Sequence, residues 1–284
     1  MVDFGIAMTP ADYAIAPVAL AEAVEARGFE SLFFPEHTHI PLSRRTPYPM
    51  QGEELPREYS HAHDPFVALT AAACVTKKIK LGTGVCLVVE RDPIVLAKQV
   101  ASLDLISGGR VVLGIGGGWN AEEMADHGVT DYKRRFALLR EKVLAMKEIW
   151  TKEAAEFHGE FVNFDPIWSY PKPVQAGGPP ILMGGESRRN YARVVEYCDG
   201  WIPHPIPGVD LAGRIRELRE TAERANRPFA SISLSAFRVD ADERVVDELV
   251  RAGFHRIVFG KRSDSREVIL PWLDTCVRLA AKFD

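Results

Sequence analysis

The chemically capable residues of this chain gather at a few apolar-run ends. Glu36-His37 closes the run Ser31–Pro35. An imidazole titrating near neutrality beside a carboxylate can pass or orient a proton in redox or acid–base chemistry. A capping or hydrogen-bonding histidine is the other reading of the same pair. More histidines follow, His37-x-His39 and His61-x-His63, inside a long segment rich in proline and histidine that runs to Asp64-Pro65.

Histidines two apart at a strand end project to one side, and such pairs hold metals in metal-dependent barrel hydrolases. Those enzymes need further histidines after later strands. His204 is available, but the run Ile181–Met183 ends in Gly184-Gly185-Glu186 with none. Histidines of a polar lid are the simpler reading, and no metal site is expected.

Two glycine-rich corners make a second group. Val111–Asn120 reads VVLGIGGGWN, an apolar run passing into Gly114, Gly116, Gly117 and Gly118 and then Trp119 before an acidic helix start. A strand, bare backbone and a helix start present main-chain N–H groups to a flat or anionic ligand. The dinucleotide pattern G-x-G-x-x-G fails here, because Trp119 occupies its third glycine, and Asp131 leads into a helix rather than ending a second strand. Trp119 instead suits a pocket wall. Gly184-Gly185-Glu186-Ser187 is the other corner, with Ser187 expected to cap a helix whose amides and dipole favour a phosphate. A tight turn needing glycine is the alternative there. Lys133, Arg134 and Arg135 read as a solvated helix start, with a reach of Arg135 into the site the alternative; Arg188 and Arg189 are the better candidates for holding an anionic tail.

The elements that must position these residues recur as short apolar run, loop and amphipathic helix. Expected strands are Val2–Met8, Ser31–Pro35, Ile79–Val89, Val111–Ile115, Ile181–Met183, Gly200–Ile202, Ser231–Phe237 and Arg256–Phe259. Asp64-Pro65 and Asp92-Pro93 are cap-then-proline helix starts, and Asp240 with Glu243 forms a capping box. Phe136, Leu139, Val143, Met146 and Trp150 form one helical stripe. Residues 156–179 read as an insertion with a small hairpin near Gly159. Eight strand–helix pairs predict a (β/α)8 TIM barrel, one domain over residues 1–284 with an insertion between strands four and five, and direct attention to the strand C-termini; a doubly wound open sheet, which alternates similarly, is the other reading of the count.

A formal charge of 35 minus 39, −4, supplies no basic face for nucleic acid. No run approaches the roughly 18 apolar residues of a membrane span, and the start reads as a strand rather than a signal peptide. Four cysteines without a C-x-x-C pair, Cys74, Cys86, Cys198 and Cys276, are expected reduced and buried in a cytoplasmic protein.

SLFFPEH (31–37), DPFVALTAAACVTKKIKLGTGV (64–85), DPIVLAKQVASLDLISGGRVVLGIGGGWNAEE (92–123), ILMGGES (181–187) and YCDGWIP (197–203) together resemble the luciferase-like monooxygenase superfamily over nearly the full length. FPEHTHIP and the short length look most like its F420-dependent branch. The resemblance implies a deazaflavin across the strand ends, its ring against a strand-three bulge with a non-proline cis peptide at Gly84-Val85. It places Glu36 and His37 at the acidic residue and catalytic histidine of F420-dependent sugar-phosphate dehydrogenases. Those enzymes carry a glutamate where Trp119 stands, so their substrate and proton scheme does not transfer.

The expected function is hydride transfer between coenzyme F420 and a small organic substrate, under a lid over residues 36–63. His37, Glu36 and Trp119 serve catalysis. His37, Gly84, Val85, Gly116, Gly117, Gly118, Gly184, Gly185, Glu186 and Ser187 serve the cofactor, and Tyr48 and Tyr59 shape the substrate side. An FMN-dependent monooxygenase of the same fold is the nearest alternative; a non-catalytic flavin- or deazaflavin-binding protein is more distant. A homodimer is expected by analogy with relatives.

Overall fold

The barrel strands are short and mostly buried, as a parallel sheet covered by helices requires. The computed structural model describes residues 2–49, 54–206 and 208–283; Met1 and residues 50–53 of the expected lid lie outside them. Along the chain come β1 (Asp3–Ala7), α1 (Pro17–Ala26), β2 (Ser31–Phe34), α2 (Pro65–Val75), β3 (Lys80–Cys86), α3 (Pro93–Ser107) and β4 (Val111–Ile115). Two helices then follow in succession, α4 (Ala121–Asp126) and α5 (Arg135–Thr151), before a hairpin of β5 (Ala155–His158) and β6 (Asn163–Ile167). The alternation resumes with β7 (Ile181–Gly184), α6 (Asn190–Tyr197), β8 (Gly200–Ile202), α7 (Leu211–Arg224), β9 (Ser233–Val239), α8 (Glu243–Ala252), β10 (Arg256–Gly260) and α9 (Arg266–Ala280).

The barrel closes in the order β1-β2-β3-β4-β7-β8-β9-β10, all neighbours parallel, with β5-β6 a separate antiparallel pair. This is a (β/α)8 TIM barrel with the β5-β6 hairpin in its insertion. Asp64 accepts from the amides of Phe66 and Val67, and Asp92 from those of Ile94 and Val95. Both cap-then-proline starts therefore stand as expected. The stripe on α5 buries Leu139, Val143, Met146 and Trp150.

Several local expectations are corrected. The third strand stops at Cys86, and Val88–Glu90 form a 3-10 turn instead of its end. The cap of α8 is Asp242, which accepts from the amides of Arg244 and Val245, so the pattern built on Asp240 was two residues early. Ser187 does not cap α6: the helix begins at Asn190, and Ser187 Oγ accepts only the Arg189 amide at 3.3 Å. Cys74 is exposed, although the other three cysteines are buried and all four are free. Cys74 lies on α2, on which Val67 is also exposed.

The N-terminal face is fixed by charge. Arg256 forks onto Glu30 at 2.7 and 2.8 Å, and Arg110 donates to the carbonyls of Ala73, Thr76, Ile79 and Ser107. At the opposite face the Gly84-Val85 peptide is cis, and the β3–β4 register shifts between Thr83 and Cys86. Inside the barrel Ala7, Phe33, Val112, Leu182, Ile202, Phe237 and Val258 form their own buried layer, with Val85 packed on it. Among the described residues no helix is long and apolar enough to cross a membrane.

The glycines of β4 answer to this packing. A Cβ on Gly114 would sit 2.1 Å from the carbonyl oxygen of Thr83, a backbone atom that cannot move aside. Gly114→Ala is therefore expected to lower unfolding free energy by about 3 kcal/mol or more. Gly28→Ala, where φ is +80° but nothing lies within 4 Å, should cost only about 1 kcal/mol. Chemical denaturation of both variants checks this, and equal losses would contradict it.

Candidate functional site

His37 leaves the end of β2 with its side chain only 7% exposed and is held from two sides. Behind it, Nδ1 lies 2.8 Å from Oε2 of Glu123, whose other oxygen accepts the amide of Thr38 at 3.2 Å. In front, the indole Nε1–H of Trp119 points at Nε2, at 3.4 Å. An indole nitrogen only donates and a carboxylate only accepts. The ring therefore fits this setting as the Nδ1–H tautomer, with the Nε2 lone pair accepting the indole N–H. Tyr59 lies against the imidazole at 4.7 Å between centroids, and Tyr48 meets both Tyr59 and Trp119 edge-on at 5.6 and 5.8 Å. Trp119 is anchored by its own carbonyl, which accepts from Tyr132 Oη at 3.1 Å. His37, Trp119, Tyr48 and Tyr59, all singled out in the sequence, thus form one aromatic wall.

Glu36 is elsewhere. Its buried carboxylate accepts the Leu87 amide at 2.7 Å and Arg91 Nε at 2.6 Å, with Arg91 also on Asp64 at 2.6 Å. It turns away from the imidazole, and the carboxylate that touches His37 is Glu123. That residue carried a signal in the sequence, since Asn120 with Glu123 spells a capping box. Asn120 Oδ1 does accept the Glu123 amide at 3.4 Å. The Glu123 side chain instead runs inward, wholly buried, which only the approach of β2 decides.

The glycines divide by neighbour. Cβ atoms at Gly116 and Gly184 would meet the two methyls of Val85, at 2.6 and 2.7 Å, and one at Gly84 would meet Phe237 at 2.3 Å. Gly117 faces Phe136, and Gly118, at φ +66°, faces Met124. These positions are bare so that Val85 and its neighbours can seat, rather than to leave backbone open. The outcome is a flat, half-buried Val85 capping the barrel's inner layer, beside the wall of His37 and Trp119.

Around the other corner, Asn190 Nδ2 donates to the carbonyls of Gly184 and Gly185 at 2.9 and 3.2 Å, and Glu186 Oε1 accepts the His204 amide at 2.8 Å. Arg188 is engaged with Glu217 at 2.8 Å. Further cations lie nearby. Arg135 and Arg193 both lie over the Phe136 ring, at 4.6 and 3.7 Å; Arg193 donates to Asn190 Oδ1 at 2.6 Å and Arg135 to the Tyr132 carbonyl at 3.1 Å, while Arg135 Nε is buried without a hydrogen-bond partner. Burial lowers the Arg193 pKa, and the charges of Arg135 and Arg189 lower it further. Like charges crowded around an orphaned guanidinium nitrogen suit an anion. Of these, Arg193 was not anticipated from sequence, because it sits mid-helix with no local pattern.

The lid histidines take up hydrogen bonds: His39 with Asp126 at 3.0 Å and Thr38 at 2.9 Å, His61 with Asp12 at 3.0 Å. Among the described residues no group of three His, Cys, Asp or Glu is arranged for a metal.

One further acid was missed. Glu90, at the end of the 3-10 turn after β3, has a buried carboxyl with no hydrogen-bond partner on either oxygen. Burial, then the charges of Glu123 and Glu36, push its pKa up to about 9.

The sequence-family model for luciferase-like monooxygenases matches residues 7–269. An uncharacterised protein of Mycobacterium tuberculosis (strain ATCC 25618 / H37Rv) is 39% identical over 284 residues, covering 98% of both chains. An F420-dependent glucose-6-phosphate dehydrogenase of Gordonia bronchialis is 30% identical over 223 residues, 76% of this chain and 61% of that one. Among solved structures, an F420-dependent secondary alcohol dehydrogenase in complex with an F420-acetone adduct superposes with a TM-score of 0.78 at 18% identity, covering 98% of each.

Two outcomes are expected from this geometry. In 15N spectra His37 should be the Nδ1–H tautomer, and Glu123→Gln should convert it to a mixture; an unchanged single tautomer would contradict the role given to Glu123. For Glu90, the native state keeps a proton between pH about 4.5 and 9 that the unfolded chain releases, so this group makes stability fall as pH rises. Glu90→Gln should thus match the parent near pH 5 and exceed its melting temperature increasingly toward pH 8. The comparison stops there because burial lowers Lys142 to about 8, which acts in the opposite sense above that pH. A constant difference across the range would refute the assignment.

Proposed function

The chain belongs to the luciferase-like monooxygenase family, and from that premise we propose that it is an F420-dependent oxidoreductase acting on a small organic substrate. One observation carries the reading: a histidine at the β2 end, fixed by a buried carboxylate behind and an indole in front, beside a flat aliphatic shelf. The related dehydrogenases named for F420 support the choice of cofactor within the family.

When bound, the deazaflavin would supply the hydride-accepting or hydride-donating carbon, C5. The chain's residues do the rest. Val85, seated on Gly116 and Gly184, offers the flat apolar surface against which a ring can rest, and bonds no ring atom itself. Arg135, Arg189 and Arg193, beside the Gly184–Ser187 corner, would hold the anionic tail, which places its negative charge where guanidinium groups are concentrated. Ser187 and Glu186 serve that corner as a turn rather than as a helix cap.

His37 holds or receives the substrate proton at Nε2. Glu123 keeps the opposite nitrogen protonated, which leaves Nε2 as a base; this is the orienting logic of a carboxylate–histidine pair. Trp119, Tyr48 and Tyr59 exclude water from Nε2 and shape the substrate side. Glu36 contributes by fixing the strand end from which His37 departs, and touches no reacting atom. Trp119 takes the place of the glutamate used by the sugar-phosphate dehydrogenases, so a substrate with less charge near that position is favoured.

Fluorescence titration of the apoprotein with F420 and with FMN tests the reading. Saturable F420 binding with weak FMN binding is expected, and micromolar FMN binding without F420 binding would replace it with the flavin monooxygenase alternative. Once a substrate is found by a panel of small alcohols, aldehydes and enones, His37→Ala should lower kcat by about 100-fold or more while leaving F420 affinity within a few-fold. Unimpaired turnover would remove His37 from the chemistry.

A further inference from the structure

Arg238, near the end of β9 at the barrel mouth, holds a backbone conformation that arginine rarely adopts. Its φ is +56°, and among the described residues only Asn226 is another non-glycine at positive φ. Asn226 closes the C-terminal end of α7, where asparagine takes this conformation routinely. No helix end accounts for Arg238. A left-handed residue with a long side chain crowds its own backbone, and it persists only where the surroundings impose it.

The surroundings do impose it. β9 and β10 pair Phe237 with Val258 and then Val239 with Phe259, so Arg238 is an extra residue bulged out of the ladder. The carbonyl of Phe237, in the peptide bond leading into Arg238, accepts Nδ1–H of His204 at 3.0 Å. The amide of Phe237 donates to the Pro203 carbonyl at 2.8 Å. On the other side Gly260 makes room: a Cβ there would sit 2.6 Å from Cα and 2.8 Å from Cβ of Arg238. Gly260 is the register partner of Ala7, a residue of the inner layer, and partners in a parallel pair share a face. Arg238 therefore rises over the open end of the barrel, not on its helix-covered outside.

What the bulge delivers there is a free cation. The Arg238 side chain is half-buried, yet among the described residues it has no hydrogen bond, ion pair or ring partner. Other arginines around the mouth are engaged: Arg91 by Glu36 and Asp64, Arg188 by Glu217, Arg193 by Asn190 and Arg44 by the Thr46 carbonyl. A permanent guanidinium fork with no acceptor matches the paired oxygens of a carboxylate or phosphate. Beside it, His204 spends Nδ1–H on the bulge, and its Nε2 has no partner among the described residues.

The placement separates this cation from the groups already assigned. β9 stands three places round the barrel from β2, which leads to His37, and three from β4, which leads to Trp119. It stands opposite β3, and the Phe237 ring reaches across to that strand: a Cβ on Gly84 would lie 2.3 Å from its Cζ. The Val85 shelf thus has His37 toward one rim and Arg238 toward the other. Arg135 and Arg193, given above to the anionic tail, belong to the helices that follow β4 and β7.

We propose that Arg238 anchors the substrate by an anionic group, a carboxylate or a phosphate, so that the substrate is a small organic acid rather than a neutral alcohol or aldehyde. This assignment of substrate class rests on the F420-dependent reading given above. The negative group lies on the β9 side, away from Trp119, where no charge is called for. Held across the mouth from His37, it fixes which part of the molecule meets Nε2. Backbone strain is retained at position 238 because the side chain is needed there.

Succinate, its neutral diamide succinamide, and inorganic phosphate test this in the full chain. Calorimetric titration, with and without F420, should show saturable binding of succinate or phosphate and none of succinamide, and the tighter anion names the group on the substrate. Arg238→Gln should weaken that binding by about tenfold or more, and Arg238→Lys, which keeps the charge but loses the fork, by less. Arg238→Gly should abolish it while the melting temperature stays level or rises, because glycine holds a φ of +56° without strain. Equal anion binding in the parent and Arg238→Gln, or no binding of either anion by the parent, would overturn the proposal. A loss of F420 affinity in Arg238→Gln with anion binding unchanged would also overturn it, and would give Arg238 to the cofactor. Failure of the parent to bind F420, with Arg238-dependent anion binding intact, would instead reject the function proposed above and leave the anion site standing.

Discussion

The ion pair between Glu36 and Arg91 holds the site's back wall together. Arg91 reaches three elements at once: Glu36 at the end of β2, Asp64 at the cap of α2 and Gln99 on α3. Glu36 returns a bond from the Leu87 amide beyond β3. Removing one partner of such a buried pair leaves a charge without compensation, a loss of about 3–5 kcal/mol. Here it would also release the strand end that carries His37. Burial of Arg91 is offset mainly by Glu36, which raises its pKa, so the guanidinium is a permanent cation at the centre of the arrangement.

Three glutamates near one another, Glu36, Glu123 and Glu90, are in three different states of satisfaction. Glu36 is paired with Arg91, Glu123 is hydrogen-bonded to His37 and Thr38, and Glu90 is bonded to nothing. Arg91 compensates Glu36 together with Asp64, and Glu123 and the imidazole of His37 hold one another. The third is left to hold its proton. The contrast between neighbouring acids with divergent environments is how a single site separates proton storage from orientation.

The shelf obeys packing rather than electrostatics. Val85 can lie flat across the barrel mouth because Gly116 and Gly184 have no side chains where its methyls go, and Gly114 has none where the Thr83 carbonyl goes. The glycines at these two strand ends thus read as close approaches to this chain's own atoms, two to Val85 and one to the Thr83 carbonyl. Phosphate-cradle patterns are spelled with the same residue, and so local sequence could not tell these uses apart.

What the sequence determined by itself was whatever depends on short-range patterning. Apolar runs alternating with striped helices specify the barrel, Asp64-Pro65 and Asp92-Pro93 start their helices by local capping, and His37 with Trp119 stands at strand ends where chemistry is placed. Element ends moved by a few residues where two local patterns competed, as at Asp240 and Asp242 or Ser187 and Asn190. What only the tertiary structure decided was which side chains meet. Glu36 adjoins His37 in the chain but faces the other way along the strand end, because consecutive residues of an extended segment point to opposite sides. Glu123, 86 positions away, takes its place because α4 packs across that end. Glu90, Arg135 and Arg193 acquire meaning only through burial and through neighbours from distant segments, and neither is encoded in local spacing.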